Sequence, residues 1–197
     1  EPGEAIVTSI DGEAGKSEFV LTAHRPSHPS EAFKYANGGL ERLTDSNPWL
    51  SEIDMPRQET ITYEARDGLE LEGILVYPKD YEEGKSYPTV MVIHGGPESH
   101  YSNGWLDRYA SPVKHAASKG YALFFPNYRG STGRGVEFSK LGQNDYAGKE
   151  FDDIVDAKEH LVAMGIADES RVGITGGSYG GYASAWGATA QTEHFAA

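Results

Sequence analysis

The most informative stretch of this chain is residues 171–186, Arg-Val-Gly-Ile-Thr-Gly-Gly-Ser-Tyr-Gly-Gly-Tyr-Ala-Ser-Ala-Trp. An apolar run comes first, a glycine-rich turn around Ser178 follows, and a stretch of small residues comes last. This order predicts a strand, an abrupt turn and a helix. Gly-x-Ser-x-Gly in that setting lifts one serine hydroxyl above the end of a sheet, and side chains on its glycines would collide with the strand or the helix. The pattern therefore predicts Ser178 as a nucleophile.

A second motif follows another predicted strand, the apolar and β-branched residues 87–93. It reads His-Gly-Gly-Pro at residues 94–97. A carbonyl under attack develops negative charge that two N–H donors must stabilise, and losing one donor costs about 100- to 1000-fold in rate. The backbone N–H of Tyr179, the residue after Ser178, is the expected first donor, and a glycine loop of this kind is the expected source of the second.

Three motifs together carry a resemblance to a known family. Residues 94–97, residues 127–133 (Asn-Tyr-Arg-Gly-Ser-Thr-Gly) and residues 176–182 resemble the prolyl oligopeptidase family of serine peptidases, S9. The His-Gly-Gly-Pro form is most similar to its acylaminoacyl-peptidase and dipeptidyl-aminopeptidase-like branch. Prolyl oligopeptidase proper carries an oxyanion-binding tyrosine where His94 stands, so the resemblance implies the backbone N–H of Gly96 as the second donor here.

Two domains are expected, with a boundary between residues 58 and 59. Residues 1–58 show short alternating strands and an Asn37-Gly38 hairpin signal, a pattern that fits either a β-sandwich or propeller blades. The resemblance favours the second of these, the C-terminal end of a β-propeller followed by a linker.

Residues 59–197 alternate strands with helices and predict an α/β fold with a parallel sheet. A hairpin around Asp67-Gly68 opens this part, and helices are expected over residues 105–118 and 149–164. The resemblance implies the N-terminal portion of an α/β-hydrolase fold. The triad of that fold runs Ser, then Asp or Glu, then His, so we expect the triad Asp and His beyond residue 197 and the sequence to be a fragment that is inactive alone.

Charge and composition exclude several function classes. The chain has 17 basic and 30 acidic residues and a net charge of −13, which argues against nucleic acid as a partner. It has no cysteine, no apolar run long enough to span a membrane, and no dinucleotide or phosphate-loop motif. We expect no cofactor and no metal. Arg129, near the predicted site, is expected to pair with a structural acid rather than with a substrate. Location stays open between cytoplasm and periplasm.

The sequence therefore predicts a serine peptidase that hydrolyses short peptides through an acyl-enzyme on Ser178. Two alternatives stay open. An esterase on the same fold would use the same chemistry, and a catalytically silent propeller-hydrolase would serve only as a binding protein. The expected partner is a peptide substrate, and family members often assemble, so a homo-oligomer is also possible.

Overall fold

The computed structural model describes residues 5–197, so residues 1–4 of the predicted first domain lie outside the described part. These residues form two compact units. The first unit comprises residues 5–55 and 102–112, and the second comprises residues 56–101 and 113–197.

The first unit is built on a four-stranded antiparallel sheet whose strands lie in sequence order. The strands are β1 (Ile6–Asp11), β2 (Phe19–Arg25), β3 (His28–Ala36) and β4 (Gly39–Arg42). Leu21, Ala23 and Phe33 alternate toward one side and form a small core with Ala5. A 3-10 helix, Pro48–Glu52, follows the sheet.

The predicted hairpin at Asn37-Gly38 is present between β3 and β4. Asn37 has φ 52° and Gly38 has φ 78°, which are the positive angles that a two-residue hairpin turn requires. The turn places Ala36 opposite Gly39, as a two-residue loop demands.

Residues 102–112 belong to the first unit, and this corrects the helix expected over residues 105–118. Only Val113–Ser118 is helical (α1). The Trp105 N–H instead donates to Nδ1 of His24, at 2.8 Å. Pro112 explains the late start, because a proline disfavours helical backbone at the residue before it and fits at a helix entrance.

The second unit contains a five-stranded mixed sheet, which confirms the α/β prediction. Its strands are β5 (Gln58–Glu64), β6 (Glu70–Val76), β7 (Tyr87–Ile93), β8 (Ala122–Asn127) and β9 (Ala167–Gly176), in the order β5-β6-β8-β7-β9. The hairpin β5–β6 is antiparallel and so is the β6–β8 pair, whereas β7 runs parallel to both β8 and β9. The carboxyl ends of β7, β8 and β9 therefore meet at one edge.

The second unit also contains a 3-10 helix, Lys140–Gly142, and three further α-helices. These α-helices are α2 (Val136–Ser139), α3 (Lys149–Ala163) and α4 (Tyr179–Gly187), and both α3 and α4 pack on β9. The helix expected over residues 149–164 is confirmed, and Gly165, with φ 75°, follows its end. Among residues 5–197, none of the helices combines the length and the apolar character needed to cross a bilayer.

Candidate active site

Ser178 lies in the turn between β9 and α4, as the sequence predicts. Its backbone has φ 56° and ψ −121°, a conformation with positive φ that a non-glycine residue rarely adopts. Such strain persists only where the surroundings enforce it, and it is concentrated at functional sites.

The carbonyl end of β7 enforces this turn. A Cβ atom on Gly176 would lie 2.5 Å from the Ile93 carbonyl oxygen, and one on Gly180 would lie closer still to the same oxygen. Only glycine fits at these two positions, because the backbones of β7 and the turn pass within van der Waals contact of each other.

The glycine loop after β7 covers Ser178. A Cβ atom built on Gly95 would lie 3.1 Å from Cβ of Ser178 and 3.7 Å from its Oγ. The structure therefore brings together two motifs that are far apart in sequence. Gly96, the next residue, has φ 129°, a conformation that favours glycine.

The backbone N–H groups of Tyr179, the residue after Ser178, and of Gly96, in the glycine loop, are unused within the described chain. Neither the Tyr179 N–H nor the Gly96 N–H donates to an acceptor in residues 5–197. The Tyr179 N–H is free because it stands at the first position of α4, where the helix supplies no acceptor.

His94 is buried beside this loop and is held by hydrogen bonds on both ring nitrogens. Its Nε2 lies 2.9 Å from Oγ of Ser131, its Nδ1 lies 2.9 Å from the Gly95 carbonyl oxygen, and its ring stacks on Tyr128 at 4.2 Å. Burial lowers the pKa of His94 to about 4. The His94 imidazole is therefore neutral at pH 7, and its hydrogen bonds to Gly95 and Ser131 hold the glycine loop in place.

The last residue of β8 and the loop that follows it each make a fixing contact. The Asn127 side chain accepts a hydrogen bond from the Tyr101 N–H at 2.8 Å and donates one to the Tyr101 carbonyl at 2.9 Å. Arg129 is buried and pairs with Asp153 at 2.7 Å and with Asp67 at 2.8 Å. The prediction that Arg129 pairs with structural acids is confirmed.

The Tyr179 side chain has a partner that the sequence analysis did not identify. Its hydroxyl donates to Oε1 of Glu150 at 2.6 Å, and Glu150 lies in the first turn of α3. The only sequence signal at Glu150 was its place in the first turn of a predicted helix, which favours an acidic residue for electrostatic reasons. The contact with Tyr179 joins residues 29 positions apart and has no local signal.

His194, the histidine that follows Ser178 in the sequence, has two carboxylate neighbours. His194 is within 3.9 Å of Glu159 and 3.6 Å of Glu193, in line with a structural role. No cluster of three or more His, Cys, Asp or Glu side chains suited to a metal ion occurs within residues 5–197.

Comparison with known proteins places this chain in a family. The model of the prolyl oligopeptidase family, peptidase S9, matches residues 108–197. The Bacillus subtilis peptidase YuxL is 33% identical over 194 residues, which covers 97% of this chain and 29% of that protein. The chain belongs to the prolyl oligopeptidase family.

A dipeptidyl aminopeptidase and an acylaminoacyl peptidase are also similar to this chain. Dipeptidyl aminopeptidase BIII of Pseudoxanthomonas mexicana is 35% identical over 165 residues, covering 81% of this chain and 23% of that enzyme. The solved structure of an acylaminoacyl peptidase in complex with Z-Gly-Gly-Phe-chloromethyl ketone matches with a TM-score of 0.84 at 28% identity, covering 98% of this chain and 30% of that one. The chain thus spans between 23% and 30% of the length of these relatives.

Proposed function

We propose that the full-length protein is a serine peptidase that hydrolyses peptide bonds of short peptides, with Ser178 as its nucleophile. The observation that carries the proposal is the strained backbone of Ser178, with the glycine loop over its hydroxyl. The names of its relatives, peptidases and aminopeptidases, support the reaction class.

In the proposed mechanism, Oγ of Ser178 attacks the carbonyl carbon of the substrate as a histidine beyond residue 197 removes the hydroxyl proton. An aspartate, also beyond residue 197, orients that histidine. The carbonyl oxygen becomes an oxyanion, which the free N–H groups of Tyr179 and Gly96 stabilise. The carbon–nitrogen bond breaks, the amine leaves with the proton held by histidine, and water then hydrolyses the acyl-enzyme.

We further propose the domain assignment that the sequence predicts, with residues 1–58 as the end of a β-propeller and residues 59–197 as the start of an α/β-hydrolase domain. The four-stranded antiparallel sheet of the first unit has the layout of a propeller blade. The strand order of the second unit, with a β5–β6 hairpin leading into a parallel β7, supports the hydrolase assignment. A propeller would restrict access to short peptides.

The test uses the full-length protein and a mixed peptide library, with products identified by mass spectrometry. Ser178→Ala should abolish cleavage. Ser184→Ala is the matched control, because its hydroxyl only donates to the Gly180 carbonyl within α4. Hydrolysis of p-nitrophenyl esters without peptide cleavage would favour the esterase, and no hydrolysis of either substrate would favour the binding protein.

A further inference from the structure

Glu150 is a buried carboxylate that the proposed mechanism does not use. It is 2% exposed, and it stands at the second position of α3. A carboxylate this far from water is stable only if protein donors replace its hydration.

Three donors converge on this carboxylate. The Tyr179 hydroxyl donates to Oε1 at 2.6 Å, the Ala147 N–H also donates to Oε1, and the Gly148 N–H donates to Oε2 at 3.1 Å. The Ala147 N–H lies 3.3 Å from the Tyr179 hydroxyl oxygen as well. The four groups therefore form one connected network.

The backbone that this network holds is strained. Ala147 has φ 60°, which a residue with a Cβ atom adopts at a cost. Glu150 is thus hydrogen-bonded both to a strained turn, residues 144–148, and to the side chain of Tyr179, the residue that follows Ser178. Packing of the Tyr179 ring against Phe151, at 5.6 Å between centroids, fixes the same side chain from another direction.

We propose that Glu150 is a positioning residue, which fixes Tyr179 by its hydroxyl and thereby sets the direction of the Tyr179 N–H toward the oxyanion. The inference rests on the proposed function, in which that N–H is a donor. Tyr179 is held at both ends, by the backbone of α4 on one side and by a buried acceptor on the other. A donor fixed before the reaction stabilises the transition state without having to reorganise.

Glutamine cannot replace glutamate in this network. The carboxylate uses both oxygens as acceptors, whereas an amide has one oxygen and one donor group. Either orientation of the glutamine amide sets its NH₂ group against at least one backbone N–H or the Tyr179 hydroxyl proton. Glu150→Gln therefore keeps the volume of the side chain and breaks at least one of the hydrogen bonds that hold the network together.

The test compares Glu150→Gln, Tyr179→Phe and the double variant in the full-length protein. Active sites are counted with an irreversible serine-directed titrant, so that kcat refers to competent enzyme only. Each single variant should lower kcat about tenfold with KM changed less than twofold, since a misaligned donor costs part of the 100- to 1000-fold of a lost one. The kcat of the double variant should lie within about twofold of the lower of the two single-variant kcat values, because both substitutions remove the same contact.

Amide hydrogen exchange of the resting enzyme gives a second readout that needs no substrate. Exchange over residues 176–182 should be faster in both variants than in wild type. Asp152→Asn is the matched control, because Asp152 lies in the same first turn but is 42% exposed and pairs with Arg66. It should change neither readout.

Unchanged exchange over residues 176–182 would overturn the inference, as would an unchanged kcat per titrated site. Single effects that multiply in the double variant would also overturn it. A wild-type enzyme that cleaves no peptide or ester would instead refute the proposed function, and the exchange data would still decide whether Glu150 holds Tyr179 in place.

Discussion

Removing the Arg129 side chain should leave a buried carboxylate without its counter-charge. The Asp153 side chain is 0% exposed and accepts hydrogen bonds from Nε and Nη2 of Arg129 at 2.7–3.0 Å. The other partner, Asp67, is 36% exposed, so water can replace the guanidinium there. Losing one partner of a buried ion pair costs about 3–5 kcal/mol, and we expect Arg129→Met to lower the free energy of unfolding by about that amount at pH 7.

The loss should depend on pH in a definite direction. Burial raises the pKa of the Asp153 carboxyl from its usual 3.8, and the hydrogen bonds from Arg129 oppose that rise. Without Arg129 the pKa rises further, so between 3.8 and the new pKa the folded state binds more protons than the unfolded state. The free energy of unfolding then falls as pH rises through this window. The deficit of Arg129→Met should therefore be smaller at pH 5 than at pH 7.5.

Urea unfolding of the full-length protein, followed by tryptophan fluorescence, measures both effects. The double variant Arg129→Met, Asp153→Asn should recover at least about half of the single variant's loss, because no buried charge remains unpaired. A loss below about 1 kcal/mol at pH 7, or an equal loss at both pH values, would refute the reasoning.

Three further predictions concern groups with unusual surroundings. Burial lowers the pKa of His94 to about 4 in the folded state, so on acidification this histidine is protonated first in the unfolded state. In urea titrations the free energy of unfolding should therefore fall by about 2 kcal/mol between pH 7 and pH 5. Gly180→Ala should lower kcat about 100-fold in peptide assays, because the new Cβ atom collides with the end of β7 and must displace the nucleophile. The Thr44 hydroxyl, as the largest of several causes, lowers the pKa of Glu31 from 4.5 to about 2, so its stabilisation is complete above pH 4.5 and is lost as pH falls toward 2, which thermal melts should detect.

Matched variants separate these predictions from general destabilisation. His94→Gln should flatten the change between pH 5 and pH 7, and an unchanged slope would contradict the assignment to His94. Gly181→Ala meets only an ordinary contact at 3.5 Å and should keep activity within about threefold, so a comparable loss would discount the steric argument. Glu31→Gln should weaken the dependence of the melting temperature on pH below 4.5. If the dependence is unaltered, carboxyl groups other than Glu31 cause it.

The elements that the sequence predicted well are those whose signals are local. The strand over residues 87–93 is confirmed to the residue, because an apolar β-branched run is bounded by polar or turn-forming residues on both sides. The turn around Ser178 is confirmed, since its glycines are required by the contact with Ile93. The roles of Ser178, Tyr179 and Gly96 stay predictions.

Features that depend on distant partners were not predictable in the same way. Strand β9 begins at Ala167, four residues before the apolar run at 171, because pairing with Tyr87 extends it. The helix expected from residue 105 was wrong, since apolar spacing there reflects packing in the first unit. The pairing of Arg129 with Asp153 in particular requires the loop after β8 to lie beside α3, and these two residues are 24 positions apart in the sequence.

The path of the chain has a consequence for anyone who wishes to divide or exchange these units. It passes from one unit to the other at residues 55–56, again at 101–102, and again at 112–113. A truncated protein that starts at residue 56 would contain Trp105 but lack His24, whose ring nitrogen accepts a hydrogen bond from the Trp105 N–H. Chimaeras between relatives should therefore transfer residues 102–112 together with the first unit, since a single crossover point would pair that segment with a foreign sheet.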